Sequence, residues 1–409
     1  MRRFFALGLL SALAQGFLLA LTPQEIERRI DALLAKMTLA EKLGQLSQAP
    51  FPPGLPENAK EEIRKGRWSS FFNAGTPAEK AEAQRIAKKE SRLGIPLLYA
   101  QDAIHGYRTV FPIPLAQASS WNTQLVRQAA RATAEEVAAQ GVHWTFAPMI
   151  DIARDPRWGR IAESLGEDPY LTSALGVAMI QGFQGDSLEA AAGIAACAKH
   201  YAGYGAAEAG RDYNTTWIPE NLLRDVYLKP FEAARQAGVA TFMTSFNSIN
   251  GVPATANMFT LRKVLRNEWK FDGMVVSDYT AIPELIEHNY AADIADAAFR
   301  ALRAGVDMEM VSRAYHDQAK SLLDSGRLDP KLIDEAVRNV LRLKFRLGLF
   351  GDRPVPPETP LPERMEVAKR LAAESSVLLK NDGVLPLTSP RKIAVIGPLA
   401  DSQKDQLGT

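Results

Sequence analysis

An aspartate with an aromatic neighbour follows a short apolar run late in the sequence. Asp278 comes directly after residues 273–277, Gly-Met-Val-Val-Ser, and Tyr279 comes next. Such a β-branched apolar run is typical of a buried strand, so the carboxylate would lie at a strand end. A carboxylate there suits nucleophilic or acid–base chemistry on a neutral polar substrate stacked against the ring. The alternative is a structural carboxylate that caps the following helix.

Two cationic side chains follow a second apolar run. Lys199 and His200 come after residues 194–198, Ile-Ala-Ala-Cys-Ala. They could hold substrate hydroxyls or stabilise a nearby carboxylate, or they could form a salt-bridged structural pair. A Schiff-base lysine in an aldolase-like barrel is a third interpretation. It is disfavoured because a lysine beside carboxylates stays protonated and is a poor nucleophile.

Two further segments carry charge. Residues 151–163 contain three arginines, three acidic residues and Trp158, which indicates either a structural ion-pair network or a charged wall with an aromatic face. Asp102 ends another apolar run. His105, three residues later, is interpreted as a loop histidine with structural partners.

The order of apolar runs and helical segments predicts how these side chains are positioned. Short apolar runs ending in polar residues alternate with longer segments of helical periodicity, which indicates a parallel sheet covered by helices. About eight such units favour a (β/α)8 barrel over a doubly wound sheet, and no Gly-x-Gly-x-x-Gly follows a strand. In a barrel the strand ends converge on one face. The predicted strand-like runs are 68–73, 95–102, 143–151, 194–200, 241–247, 274–278 and 306–310.

Composition excludes several classes of function. The chain has 409 residues with 48 basic and 47 acidic side chains, and this balance does not favour nucleic-acid or anionic-membrane binding. A single cysteine, Cys197, excludes an internal disulfide framework, and five dispersed histidines argue against a metal centre. We therefore expect no metal and no cofactor.

The two ends of the chain predict additional units. Residues 1–21 have two arginines before an apolar run, which is typical of a secretory signal peptide; a retained membrane anchor is the alternative. Residues 22–351 are predicted to form the catalytic barrel. Residues 352–391 form a proline-rich linker with a connecting helix. Residues 392–409 are predicted to be the first strand and truncated start of a C-terminal α/β sandwich domain.

Five motifs together resemble glycoside hydrolase family 3, and most closely its bacterial periplasmic β-glucosidases. They are Asp-Ala-Ile-His-Gly at 102–106, Asp-Pro-Arg-Trp-Gly-Arg at 155–160 with Gly-Glu-Asp at 166–168, Lys-His at 199–200, Asn-Ser-Ile-Asn-Gly-Val-Pro at 247–253, and Val-Ser-Asp at 276–278. The resemblance implies a retaining exo-acting hydrolase that removes terminal β-D-glucosyl residues through a covalent glycosyl-enzyme. It also implies a periplasmic or secreted location.

The resemblance also implies a role for each matching position. Asp278 matches the catalytic nucleophile. Asp102, Arg160, Lys199 and His200 match the residues that hold the hydroxyls of the terminal sugar. Met243 and Tyr279 match positions in the pocket wall, and Phe246 stands where some members have a tyrosine.

The general acid/base carboxyl is not assigned by these motifs. In multidomain members it is a glutamate of the second domain, so we expect it to be missing from this chain. Glu163, Glu208 and Glu309 are the internal candidates. The alternatives to a β-glucosidase are a β-xylosidase and a non-catalytic sugar-binding remnant of the barrel.

Overall fold

The computed structural model describes residues 21–73, 75–389 and 392–407, and its centre is a ring of eight parallel strands. We number these strands β1 to β8 in chain order. Each pairs with the strands before and after it in the chain, and β8 pairs with β1. Parallel bridges from Trp144 to Ala195 and from Met149 to Lys199 join β4 to β5, so the predicted (β/α)8 barrel is confirmed. The strands span Ser47–Pro50, Ser70–Phe72, Leu98–Gln101, Trp144–Thr145, Cys197–Tyr201, Thr241–Thr244, Met274–Tyr279 and Met308–Met310.

Helices cover the outside of the ring. Capping boxes begin two of them, where the hydroxyls of Thr38 and Thr76 accept from the backbone N–H of Glu41 and Glu79. No helix within the described ranges is both long and apolar enough to cross a membrane. The α-helices span Pro23–Leu34, Leu39–Gln45, Glu57–Arg64, Pro77–Lys89, Pro114–Ser119, Thr123–Ala139, Pro169–Gln184, Glu220–Leu222, Lys229–Gln236, Glu284–Glu287, Ile294–Ala304, Ala314–Asp324, Pro330–Arg346 and Leu361–Glu374, and the π-helices span Leu223–Tyr227 and Phe259–Glu268.

Strand β1 was not among the predicted runs. Its residues, Ser-Gln-Ala-Pro, lack the apolar alternation that predicts a strand. Side-chain hydrogen bonds to the neighbouring strands hold it in place instead. Gln48 Nε2 donates to Ser70 Oγ at 2.8 Å, and Ser47 Oγ donates to Glu309 Oε1 at 3.1 Å.

The C-terminal part differs from the sequence-based prediction. Residues 392–396, predicted to be the opening strand of a second domain, have no regular secondary structure, and Ile393, Val395 and Ile396 are exposed. A strand is stable only beside neighbours that pair with it, and the described residues provide none here. Helix Leu361–Glu374 packs on the barrel, where Arg364 Nη1 lies 2.7 Å from the buried Glu136 Oε1. The predicted signal segment lies outside the described residues except for Leu21, and the division into domains stays a prediction.

Candidate functional site

Asp278 lies near the carboxyl end of β7 with its side chain buried. Its Oδ1 accepts the backbone N–H of Tyr279 at 2.7 Å, which fixes the orientation of the carboxyl group. Its Oδ2 is buried and has no hydrogen-bond partner within the described part of the chain. A buried carboxylate oxygen without a partner is costly, so this oxygen is poised to bind something other than the protein.

Lys199 and His200 reach the same end of the barrel from β5. The register between β5 and β6 shifts between Ala198 and Tyr201, and this irregularity lets two consecutive side chains contact site residues. Lys199 Nζ lies 3.5 Å from Asp102 Oδ1. His200 Nε2 lies 3.4 Å from Asp278 Oδ2 without hydrogen-bond geometry.

A short helical turn, Gly159–Glu163, presents Arg160 to the site. Glu163 lies three residues later and receives two hydrogen bonds from the guanidinium, from Nε at 2.8 Å and from Nη2 at 3.0 Å. Burial acts to raise the pKa of Glu163, but the bonds with Arg160 outweigh it and the pKa is lowered. Glu163 is therefore an ionised partner that orients Arg160.

The remaining predicted site residues lie on or just after strands β3, β6 and β7. The Asp102 side chain is 41% exposed, and its backbone N–H donates to Asn73 Oδ1 at 3.4 Å. Met243 lies on β6 opposite Val276 of β7 and is buried. The Tyr279 ring is half exposed and meets Phe72 edge-on at 6.5 Å.

Electrostatics at Asp278 reflect a balance between burial and nearby charge. Burial raises the pKa of the carboxyl group to about 6, while the positive charges of Lys199 and Arg160 act to lower it. The carboxyl is consequently ionised at neutral pH. Burial also lowers the pKa of His200 well below its ordinary value.

Three residues beside this group were not given a role from the sequence. Asp151 is buried behind His200, and Tyr204 packs its ring edge-on to His200 at 5.3 Å with a buried hydroxyl. Glu284 follows β7, and burial together with the charge of Asp278 raises its pKa to about 7. The strand-end position of Asp151 was a usable signal, whereas nothing local marks Tyr204 or Glu284.

Asn247, the first residue of the motif at 247–253, and two of the candidate acids have other surroundings. Asn247 donates from Nδ2 to Thr216 Oγ1 at 3.1 Å. Glu309 is buried and accepts from Ser47, Ser312 and the backbone of Tyr315, so it is a structural carboxylate. Glu208 is exposed.

The fold and this geometry together place a group of charged and polar side chains at the carboxyl ends of the barrel strands, which is where barrel enzymes have their active sites. Residues 38–343 match the model of the glycosyl hydrolase family 3 N-terminal domain, and the chain belongs to this family. It is 43% identical to a periplasmic beta-glucosidase of Salmonella typhimurium over 401 residues, which is 95% of this chain and 52% of that protein. It is 38% identical to a beta-xylosidase of Formosa agariphila over 384 residues, which is 86% of this chain and 53% of that protein.

Solved structures show the same likeness. The beta-glucosidase of Listeria innocua in complex with glucose superposes with a TM-score of 0.83 at 40% identity, covering 88% of this chain and 53% of that one. A mutant of that enzyme in complex with laminaribiose gives a TM-score of 0.87 at 40% identity, covering 93% and 56%. The chain spans about half the length of the curated relatives it matches.

Proposed function

We propose that this chain provides the sugar-binding pocket and the nucleophile of a retaining exo-acting glycoside hydrolase that removes terminal β-D-glucosyl residues. The observation that carries the proposal is Oδ2 of Asp278, which is buried beside Lys199, His200 and Arg160 and has no hydrogen-bond partner among the residues that the structure describes. A pyranose has many hydroxyls, and these side chains offer several fixed donors around one carboxylate.

The chemistry follows a two-step displacement. Oδ2 of Asp278 attacks the anomeric carbon, the bond to the aglycone oxygen breaks, and a covalent glycosyl-enzyme forms. Water then attacks the same carbon and releases the sugar and the aspartate. Lys199, His200 and Arg160 bind hydroxyls, and the charges of Lys199 and Arg160 favour the ionised form of Asp278. Tyr279 gives the aglycone an aromatic surface.

A second carboxyl has to protonate the leaving oxygen and then deprotonate water. Glu163 is held by Arg160 and Glu309 by four hydrogen bonds, while Glu208 lies exposed. We propose that the acid/base carboxyl comes from outside the described residues; Glu284, whose pKa is raised to about 7 beside Asp278, is the internal alternative. The first step then needs an aglycone that leaves without protonation, such as a dinitrophenolate.

The choice of glucose rests on the relatives that are named beta-glucosidases. The beta-xylosidases among the relatives support a second candidate, a pentopyranosyl substrate at the same pocket. The name of the Salmonella relative supports a periplasmic location for this protein.

Trapping tests the proposal. A 2-fluoro-β-glucoside with a dinitrophenyl leaving group should add one fluoroglucosyl group to the chain, on Asp278, as read by mass spectrometry of the intact protein and its peptides. Asp278→Asn is the matched control and should stay unlabelled. A chain that binds glucose but is never labelled would be the sugar-binding remnant, and faster labelling by the fluoroxyloside would favour a xylosidase.

Rescue by a small anion tests the missing base. Azide attacks the anomeric carbon without a base, so it should release β-glucosyl azide and accelerate turnover of dinitrophenyl glucoside. If azide has no effect and cellobiose is turned over rapidly, an acid/base residue is present within the chain.

A further inference from the structure

Behind His200 lies a carboxyl group that the proposed chemistry does not use. Asp151 is 1% exposed, and its Oδ2 accepts the backbone N–H of His200 at 2.9 Å. The same oxygen lies 2.8 Å from Nδ1 of the imidazole. These two contacts on one oxygen fix the plane of the ring and direct Nε2 towards Asp278 Oδ2, 3.4 Å away. Nε2 has no hydrogen-bond partner within the described ranges.

We infer that Asp151 is a positioning residue that holds His200 with a proton on Nε2, so that this nitrogen faces the pocket as a donor. The inference rests on the proposed function, because the donor would serve Asp278 and the hydroxyls of the sugar. One proton lies between Asp151 Oδ2 and His200 Nδ1, and a second lies on Nε2. Whichever of the two atoms holds the shared proton, the pair has no net charge.

The physical reason is the charge of the buried group. If the pair held only the proton between Oδ2 and Nδ1, it would be negative, and the bare lone pair of Nε2 would face the carboxylate of Asp278. Two negative groups separated by one imidazole in a desolvated site are strongly disfavoured. Burial raises the pKa of Asp151 to about 7, and this also favours the state in which the pair holds two protons.

Charges from every neighbouring element act on this pair. Arg160 and Lys199 contribute positive charge, and Glu163 acts in the opposite sense. On the other side of the imidazole, the charge of Asp102 acts to raise the pKa of Asp278, and the charge of Asp278 acts to raise the pKa of Glu284. The groups that act on the pair are therefore Arg160 and Glu163 after β4, Lys199 on β5, Tyr204 packed on the imidazole, and Asp278 at Nε2, whereas Asp102 and Glu284 are coupled to Asp278.

Asp151→Asn is the informative variant. The amide oxygen can still accept the backbone N–H of His200, but unlike a carboxyl group it has no proton to share with Nδ1. The neutral imidazole must therefore keep its single proton on Nδ1 to donate to this oxygen, which leaves Nε2 bare. We expect labelling of Asp278 by the fluoroglucoside to slow about 100-fold. The pH range over which the labelling rate rises should also move to higher pH. In a chain that already carries His200→Gln, Asp151→Asn should slow labelling little further, because Asp151 acts through His200.

Asp307→Asn is the matched control. Asp307 is also buried and accepts a backbone N–H, from Val275 at 2.7 Å, but it pairs with Arg266. The Asp307→Asn change should lower the stability of the chain and leave the pH dependence of labelling unchanged. A folded Asp151→Asn protein with the labelling rate and pH dependence of the unaltered chain would overturn the inference.

Nitrogen-15 NMR of the imidazoles decides the point without catalysis. The chain has five histidines, and the His200 signals are assigned by their loss in His200→Gln. The unaltered chain should have a protonated Nε2, and a bare Nε2 there would overturn the inference even if Asp151→Asn fails to fold. If the unaltered chain is never labelled, the proposed function fails, while this measurement still decides the role of Asp151.

Discussion

Nε2 of His200 lies 3.4 Å from Oδ2 of Asp278, and both atoms are buried at the carboxyl end of the barrel. The two residues are 78 positions apart in the sequence, on β5 and β7 with β6 between them. Their contact brings a potential donor to the oxygen that we propose as the nucleophile. The same burial that makes this oxygen reactive also carries a cost in stability.

Asp278→Asn should stabilise the folded chain at neutral pH. The folded carboxyl has a pKa of about 6 against an ordinary value of 3.8, so the folded state retains the proton between these values while the unfolded state releases it. The free energy of unfolding of the unaltered chain therefore falls as pH rises through this window. Above about pH 6 the Asp278→Asn variant should be more stable than the unaltered chain by about 3 kcal/mol.

Urea denaturation at pH 3.5 and pH 7.5 checks this sign. The two proteins should have nearly equal stability at the lower pH and differ at the higher one. A variant that is less stable than the unaltered chain at pH 7.5 would mean that Asp278 is stabilised by its neighbours and has no raised pKa.

The rate of labelling at Asp278 should rise with pH up to about 6 and then level, because only the ionised carboxylate attacks the sugar. Lys199→Gln should move this rise in rate to higher pH, because the charge of the lysine lowers the pKa of Asp278. Single-turnover labelling from pH 4.5 to 8 measures both profiles. Lys320→Gln, at an exposed position of helix Ala314–Asp324, is the control and should leave the pH dependence of labelling unchanged.

Glu163→Gln should loosen Arg160, because it removes the charged partner of two hydrogen bonds. We expect a loss of about 1–3 kcal/mol in the free energy of unfolding and weaker glucose binding. Chemical denaturation and calorimetric titration with glucose measure these effects.

Arg157→Gln provides the comparison in the same loop. Arg157 is 71% exposed and pairs with Asp155 at the surface, so its loss should change stability by less than about 1 kcal/mol. Equal effects of the two changes would show that the Arg160–Glu163 pair has no special role.

Tyr279→Ala should weaken binding of aryl glucosides without unfolding the barrel, because the ring is half exposed beside Asp278. Loss of an aromatic contact of this kind corresponds to about a 2- to 10-fold increase in the dissociation constant. Binding of aryl thioglucosides to the chain measures it. Tyr279→Phe should retain the affinity, and Tyr170→Ala, at an exposed position of helix Pro169–Gln184, should leave it unchanged.

The sequence by itself determined the alternation of strands and helices and the positions of polar side chains at strand ends. Both follow from local properties, since apolar periodicity and turn residues act over a few neighbouring positions. The (β/α)8 barrel could be predicted on this basis. The roles of Asp278, Lys199, His200 and Arg160 stay predictions, although the fold brings these side chains to one end of the barrel.

Only the tertiary structure decided which polar groups meet. Strand β1 is polar in sequence and forms a strand because β2 and β8 pair with it. Glu309 resembled a candidate acid until its partners on β1 and after β8 were known. The contact between Asp151 and His200 joins residues 49 positions apart. Such contacts depend on closure of the ring, which brings distant segments together, and no local pattern encodes them.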